Sequence, residues 1–155
     1  MKISIIAIGK KHDSNLLTSI LDYSRRLSHY TKIEWKLLES NSANMSIENT
    51  KRTESNLIMS HIKPDDYAIL LDERGKQLNS LEYADMLQRH QNTSTKSLIL
   101  IIGGAHGVDN DLKARANYCW SLSPLVFPHQ LVRLILIEQL YRAFTIINNG
   151  KYHHY

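Results

Sequence analysis

The sequence predicts an α/β protein with a mostly parallel sheet covered by helices on both faces. Three observations carry this. Short β-rich runs alternate with helical patterns along the chain, an order that builds a parallel sheet through crossover helices. Two of the runs, "YAILL" at 67–71 and "LILII" at 98–102, are apolar throughout, as strands buried on both faces are. The length of 155 residues suits one domain spanning the whole chain, 1–155, with a sizeable core.

Each element follows from local chemistry. Ile3 to Ile8 reads as a strand from its β-branched content. Residues 14–28 place Leu16, Leu17, Ile20, Leu21 and Leu27 on one helical stripe, with Asp13 or Ser14 as cap. Ile33 to Leu38 is a second strand, and "SNSANMS" at 40–46 a polar loop. A weak helix follows and ends near Lys63-Pro64, because the residue before proline avoids helical angles. Tyr67 to Leu71 is the third strand. Asn79, with Glu82 three residues on, resembles a capping box for a helix over 80–90. Ser97 to Ile102 is the most apolar strand. Asp109 and Asp111 suit the first turn of a helix over 109–117, where carboxylates meet the positive end of the helix dipole. Trp120 to Leu122 is a short strand. Pro128 suits the first position of a last helix over His129 to Ile147.

Composition narrows the partners. Hydrophobic residues make up 43% and charged residues 22%, ordinary for a globular protein. The longest apolar run is too short to span a bilayer, and the N-terminal "MKISIIAIGKK" lacks a cleavage site, so neither a membrane nor a signal peptide is expected. The lone Cys119 excludes an internal disulfide and predicts a reduced, cytoplasmic protein. A net charge of +4 and a pI near 9.2 tilt the partner toward nucleic acid. The basic residues are spread out, in doublets such as Lys10-Lys11, Arg25-Arg26 and Lys51-Arg52, with no basic tail.

Ligands of such sheets bind beyond the C-terminal ends of the strands, which directs attention to 72–76, 103–108 and 122–128. "LLDERGK" at 70–76 is a solvated turn or the backbone wall of a crevice at Leu71 and Asp72. "IIGGAHG" ends a buried strand in Gly103-Gly104 and Gly107. Its G-G-x-x-G spacing is neither a dinucleotide fingerprint nor a P-loop. It is a tight strand-to-helix turn, or a place where backbone approaches a small ligand. The final helix is apolar almost all round, so it is expected to be buried on two sides, the second side being another subunit. Its few polar residues, His129, Arg133, Glu138 and Arg142, fall at i,i+4 spacings. Glu138–Arg142 is a helix ion pair, or each member has a further task, and His129 is read as capping its helix. The terminal "NNGKYHHY" has no metal-ligand spacing and no partner motif elsewhere, so no metal site is expected; residue chemistry alone makes it a frayed end.

"MKISIIAIGK", "LDERGK", "IIGGAHG", "WSLSPLVFPHQLVRLILIEQLYRA" and the terminal "YHH" together resemble one family over essentially the whole chain. It is the RlmH-type pseudouridine N3-methyltransferases of the bacterial large ribosomal subunit, within the SPOUT superfamily. The resemblance implies S-adenosylmethionine as cofactor, held in a deep trefoil knot of the C-terminal part. The cofactor-binding residues it implies are Leu71, Gly103, Gly104, Leu122, Ser123, Pro124, Leu125, Val126 and Phe127. It implies a homodimer packed through the last helix. It implies methylation of N3 of pseudouridine 1915 in 23S ribosomal RNA on the assembled ribosome. His153 is then the candidate general base, Tyr152 shapes the pocket, and Arg142 holds the base or a phosphate, with the site completed across the dimer. Many relatives have threonine where Val126 stands, and Ala105-His106 is a variable pair. The alternatives are a SPOUT enzyme acting on transfer RNA and a noncatalytic dimeric ribosome-binding module.

Overall fold

The computed structural model describes residues 1–155. Five strands, β1 (Lys2–Ile8), β2 (Lys32–Leu38), β3 (Tyr67–Gln77), β4 (Ser97–Ile102) and β5 (Tyr118–Ser121), form one parallel sheet in the order β2-β1-β4-β3-β5. The helices are α1 (Leu17–Leu27), α2 (Ile47–Met59), α3 (Ser80–Asn92), α4 (Asn110–Arg115) and α5 (His129–Ile147).

The central strands explain the two-sided covering. Ile3, Ile5 and Ala7 of β1 and Leu98, Leu100 and Ile102 of β4 point into a core shared with α1, α3 and α5. Ile6 and Ile8 of β1 and Ile99 and Ile101 of β4 point the other way, onto Ile58 of α2 and Leu112 of α4. Each of the Ile and Leu side chains contributes roughly 1.5–3 kcal/mol on burial. At the edge, β2 alternates Lys32, Glu34 and Lys36 with apolar residues, and its burial is correspondingly partial.

Several boundaries differ from the sequence expectation. β3 does not stop at Leu71 but runs to Gln77 through a bulge, so that Leu71 and Lys76 both face Trp120. Gly75 makes this possible: a Cβ there would stand 2.7 Å from the carbonyl of Cys119. α1 begins at Leu17, because Gln130 accepts the Asp13 N–H at 2.9 Å and the Asp13 carboxylate is used on Asn15 N–H at 2.7 Å. Neither Asp13 nor Ser14 is its cap, which falls at Leu16 without a side-chain bond. Asp109 lies just outside α4 and caps it, accepting from Leu112 N–H at 2.9 Å. Pro128 likewise stands at the cap position of α5 instead of inside its first turn. The Asn79–Glu82 capping box of α3 forms reciprocally, at 2.9 and 2.8 Å.

Within one chain, α5 buries one face completely through Leu136, Ile137, Leu140, Ala143 and Phe144. Leu131, Leu134, Ile135, Ile146 and Ile147 on its flanks are half-buried.

Candidate active site

A cavity of about 580 Å³ opens at the C-terminal edge of the sheet. Its walls come from the end and bulge of β3, the loop after β4, the loop after β5 and the first turn of α5. Leu71, Gly103, Gly104, Leu122, Ser123, Leu125, Val126 and Phe127 all line it. Pro124 does not; it is exposed on the same loop.

Local chemistry sets each wall. In the β4–α4 loop, Gly107 takes a left-handed φ of +80° and donates its N–H to Gly104 O at 3.1 Å. A Cβ at Gly104 would run into the Glu54 carboxylate, so a side chain there requires Glu54 to move. From α2, Ser55 accepts the Asp109 N–H at 2.9 Å and so pins the far end of this loop. After β5, Ser121 Oγ donates to Ser123 O at 2.8 Å, and Ser123 Oγ accepts from Leu125 N–H at 3.1 Å. The loop then presents Leu125, 66% exposed, and Val126, 79% exposed, as an open apolar wall. In the β3 bulge, Arg74 makes two side-chain bonds of 3.0 Å to Asp72, which hold the Asp72 carboxyl below the usual range.

His129 lines the cavity and makes no side-chain capping bond, so the expectation that it caps α5 is corrected. Burial first, and the Arg133 guanidinium second, pull its imidazole below the ordinary value, so it is neutral at physiological pH.

Arg133 is completely buried and has no carboxylate partner. Its Nη2 donates to Ile8 O at 2.8 Å and Gly9 O at 3.2 Å, and Nη1 to Lys11 O at 2.9 Å. It therefore ties the β1–α1 loop to α5 beside the cavity. His129 and Arg133 are i,i+4 neighbours, but the guanidinium turns inward onto the β1–α1 loop.

A second polar cluster lies farther along α5. Glu138 Oε1 accepts from Arg142 Nη2 at 2.5 Å and Nε at 3.0 Å, and from Tyr152 OH at 3.0 Å. The Arg142 guanidinium sits 4.8 Å over the Tyr152 ring, and its Nη1 lies 3.2 Å from His153 Nδ1. Tyr152 also meets the Tyr23 hydroxyl at 3.0 Å and the Tyr141 ring edge-on at 4.8 Å. The tail is thus fastened to α1 and α5, and the frayed end expected from residue chemistry is corrected. Burial, then the bonds to Tyr23 and Glu138, push the Tyr152 hydroxyl far above its ordinary value, so it stays protonated. The Glu138 bond raises Arg142 further, keeping it cationic.

The structure brings Arg142, Tyr152 and His153 together but does not bring them to the cavity of the same chain. None of the three lines it. Along α5, Glu138 lies six residues beyond Val132 at the cavity wall, about 9 Å, and Arg142 four residues farther. Glu54 and Glu138 were the functional candidates least visible in sequence. Glu54 sits in the polar "TKRTESN" run, and the i,i+4 spacing of Glu138 to Arg142 reveals one of its three partners, Gln139 and Tyr152 being the others. No three His, Cys, Asp or Glu side chains converge as a metal site, and no helix is long and apolar enough to cross a membrane.

Known proteins sharpen this geometry. The family profile described as "Predicted SPOUT methyltransferase" matches residues 1–153. "Ribosomal RNA large subunit methyltransferase H" of Flavobacterium psychrophilum is 45% identical over 156 aligned positions, covering 99% of each chain. Among solved structures, a "Probable Methyltransferase" from Bordetella pertussis superposes with a TM-score of 0.58 at 13% identity, over 92% of this chain and 94% of that one. A methyltransferase structure from Legionella pneumophila, in complex with the cofactor SAM, gives 0.52 at 12% identity, over 92% and 66%. The two superpositions establish the shared fold; the full-length profile match and the 45% identity establish the family. The chain belongs to the SPOUT methyltransferases, in the ribosomal RNA large subunit methyltransferase H family.

Proposed function

We propose that this protein transfers a methyl group from S-adenosylmethionine to N3 of a pseudouridine in 23S ribosomal RNA, acting in the cytoplasm on the assembled ribosome. The observation that carries the proposal is the gathering of eight of the nine expected cofactor residues around one 580 Å³ cavity. The donor set fits: apolar walls from Leu71, Leu122, Val126 and Phe127 suit a purine nucleoside, and Gly103 and Gly104 let backbone groups approach it. When bound, S-adenosylmethionine supplies an electrophilic methyl on a sulfonium. We take the C-terminal part of the chain, which supplies two of the cavity walls, to be threaded as a deep trefoil knot within one domain spanning 1–155.

The acceptor side is assigned to the tail of a second subunit. The half-buried apolar flanks of α5, and exposed Leu17 and Leu21 on α1, offer a face for a homodimer. In that dimer, Arg142, Tyr152 and His153 of one protomer meet the cavity of the other. Arg142 carries only donors, so in this bond His153 Nδ1 accepts and the ring proton sits on Nε2. Held this way, His153 directs an N–H outward. The weakly acidic N3–H first gives its proton to solvent, or to His153 if the Arg142 bond opens. The His153 N–H then stabilises the resulting negative charge on a uracil oxygen while N3 takes the methyl and the thioether is left behind. Protonated Tyr152, packed under Arg142, fixes both groups. Most of the acceleration comes from placing acceptor and methyl donor in line. N3 is hidden in a base pair, so the acceptor must be unpaired or turned out of its helix.

Mass mapping of modified nucleosides in 23S RNA from cells with and without this protein tests the proposal. Loss of one N3-methylated pseudouridine, restored by the purified protein on whole ribosomes, is expected. Methylation of free transfer RNA instead, or no cofactor binding at all, would favour the transfer-RNA enzyme or the noncatalytic module.

A further inference from the structure

Glu54 stands apart from every other acidic residue in the chain. It is 6% exposed, its Oε2 is fully buried, and that oxygen has no hydrogen-bond partner. It forms no ion pair. It lies in the middle of α2, and its carboxylate presses on Gly104, with Oε1 and Cδ 3.0 and 2.9 Å from where a Cβ would stand. Gly104 is itself a wall of the cavity. One glycine thickness therefore separates an unpaired carboxylate from the ligand space. No lysine or arginine acts on it, and its one titratable neighbour of basic type is His106, exposed on the same loop.

Isolated buried carboxylates are costly, and native structures keep them paired or give them a task. Here no resident cation does the pairing. An apolar or amide side chain would fill the same place behind Gly104 without that cost. We infer that Glu54 is the buried counter-charge of the cavity, selecting a cationic ligand over a neutral one of the same shape. On the reading above, which this inference rests on, the favoured ligand is the sulfonium donor, and the disfavoured one is the thioether left once the methyl has gone. Glu54 is then a positioning residue that acts across Gly104 without touching the ligand, and it helps the spent cofactor to leave. Burial raises the Glu54 carboxyl above the usual range, so a cation in the cavity would also favour its ionised form.

The test is calorimetric titration of the full-length protein and of Glu54→Gln with three probes: S-adenosylmethionine, S-adenosylhomocysteine and sinefungin, whose amine replaces the methylsulfonium. For the unaltered protein, the two cationic probes are expected to bind more tightly than S-adenosylhomocysteine. In Glu54→Gln, which keeps shape and removes charge, affinity for both should fall about tenfold, while that for S-adenosylhomocysteine stays within about twofold. An equal loss for all three probes would make Glu54 a structural strut and overturn the inference. So would unchanged affinities throughout. Glu54→Asp keeps the charge, and its ratio of sulfonium to thioether affinity should remain closer to that of the unaltered protein. If the unaltered protein binds S-adenosylmethionine but the ratio does not respond to Glu54→Gln, only this inference fails. If it binds none of the probes, the cofactor reading fails with it.

Discussion

The cavity and the tail cluster are built by opposite means. The cavity sets glycines and apolar side chains beside a few polar ones, Asp72, Arg74 and His129 among them, and two of its walls, Leu125 and Val126, stand open to solvent. The tail cluster is a network of charged and hydroxyl side chains, centred on a Glu138 oxygen that accepts from both Arg142 and Tyr152. The first arrangement suits recognition by shape. The second suits holding charge and protons in fixed places. The two lie apart on α5 of the same chain, so on the proposed reading binding and chemistry should be open to separate damage.

Removing residues 152–155 should separate them most sharply. The deletion takes away His153 and the Tyr152 hydroxyl but leaves every cavity wall intact. Methylation of ribosomes should fall at least about a hundredfold, with cofactor affinity within a few-fold. Mixing this variant with one whose cavity is blocked should restore part of the activity, because a mixed dimer would hold one complete site. Restoration measured by methyl incorporation supports a site shared between subunits; none would place the chemistry within one chain.

Gly104→Ala attacks the other region. The added Cβ would meet the Glu54 carboxylate, so either that side chain turns aside or the loop shifts into the cavity. Cofactor affinity should drop about tenfold or more by titration, with an unfolding cost of about 1–3 kcal/mol for the overpacking. The bonds among Glu138, Arg142 and Tyr152 should persist, visible as an unchanged Tyr152 environment by NMR. Loss of both regions together would deny their independence.

How far each region can be read in the sequence follows from the same contrast. The sheet is legible because its central strands are apolar on both faces, as "LILII" is, and because the α3 cap is a local pattern at Asn79 and Glu82. The strand order is not, since no local signal says that β4 lies beside β1. The β3 bulge escapes because it depends on Gly75 meeting Cys119, a contact made only after folding. The cavity's backbone walls leave glycines and prolines as clues, and the motif likeness supplies their role. Arg133 and Glu54 are both buried by what packs over them, and no local spacing reveals the carbonyl partners of the first or the unpartnered oxygen of the second. The tail reads as disordered because its order comes from Tyr23, Glu138 and Tyr141, residues that only the folded α1 and α5 bring together.

Tyr152→Phe gives the smallest effect and the finest discrimination within the tail. It removes one hydroxyl and keeps the ring that Arg142 and Tyr141 pack against. The lost bonds are those to Glu138 and Tyr23, each at 3.0 Å and only partly buried. Glu138 keeps Arg142, so no buried charge is left unpaired, and the loss of stability should be about 1 kcal/mol. If Tyr152 acts by holding Arg142 and His153 in place, the methylation rate should fall less than about tenfold. The acceptor and cofactor dependence should stay unchanged, because the ring still fixes the guanidinium. A loss as large as that of the whole tail would mean that the hydroxyl itself touches the reacting base. Tyr152 would then move from the frame of the site to its chemistry, and the division between a binding cavity and a positioning tail would have to be redrawn around that one oxygen.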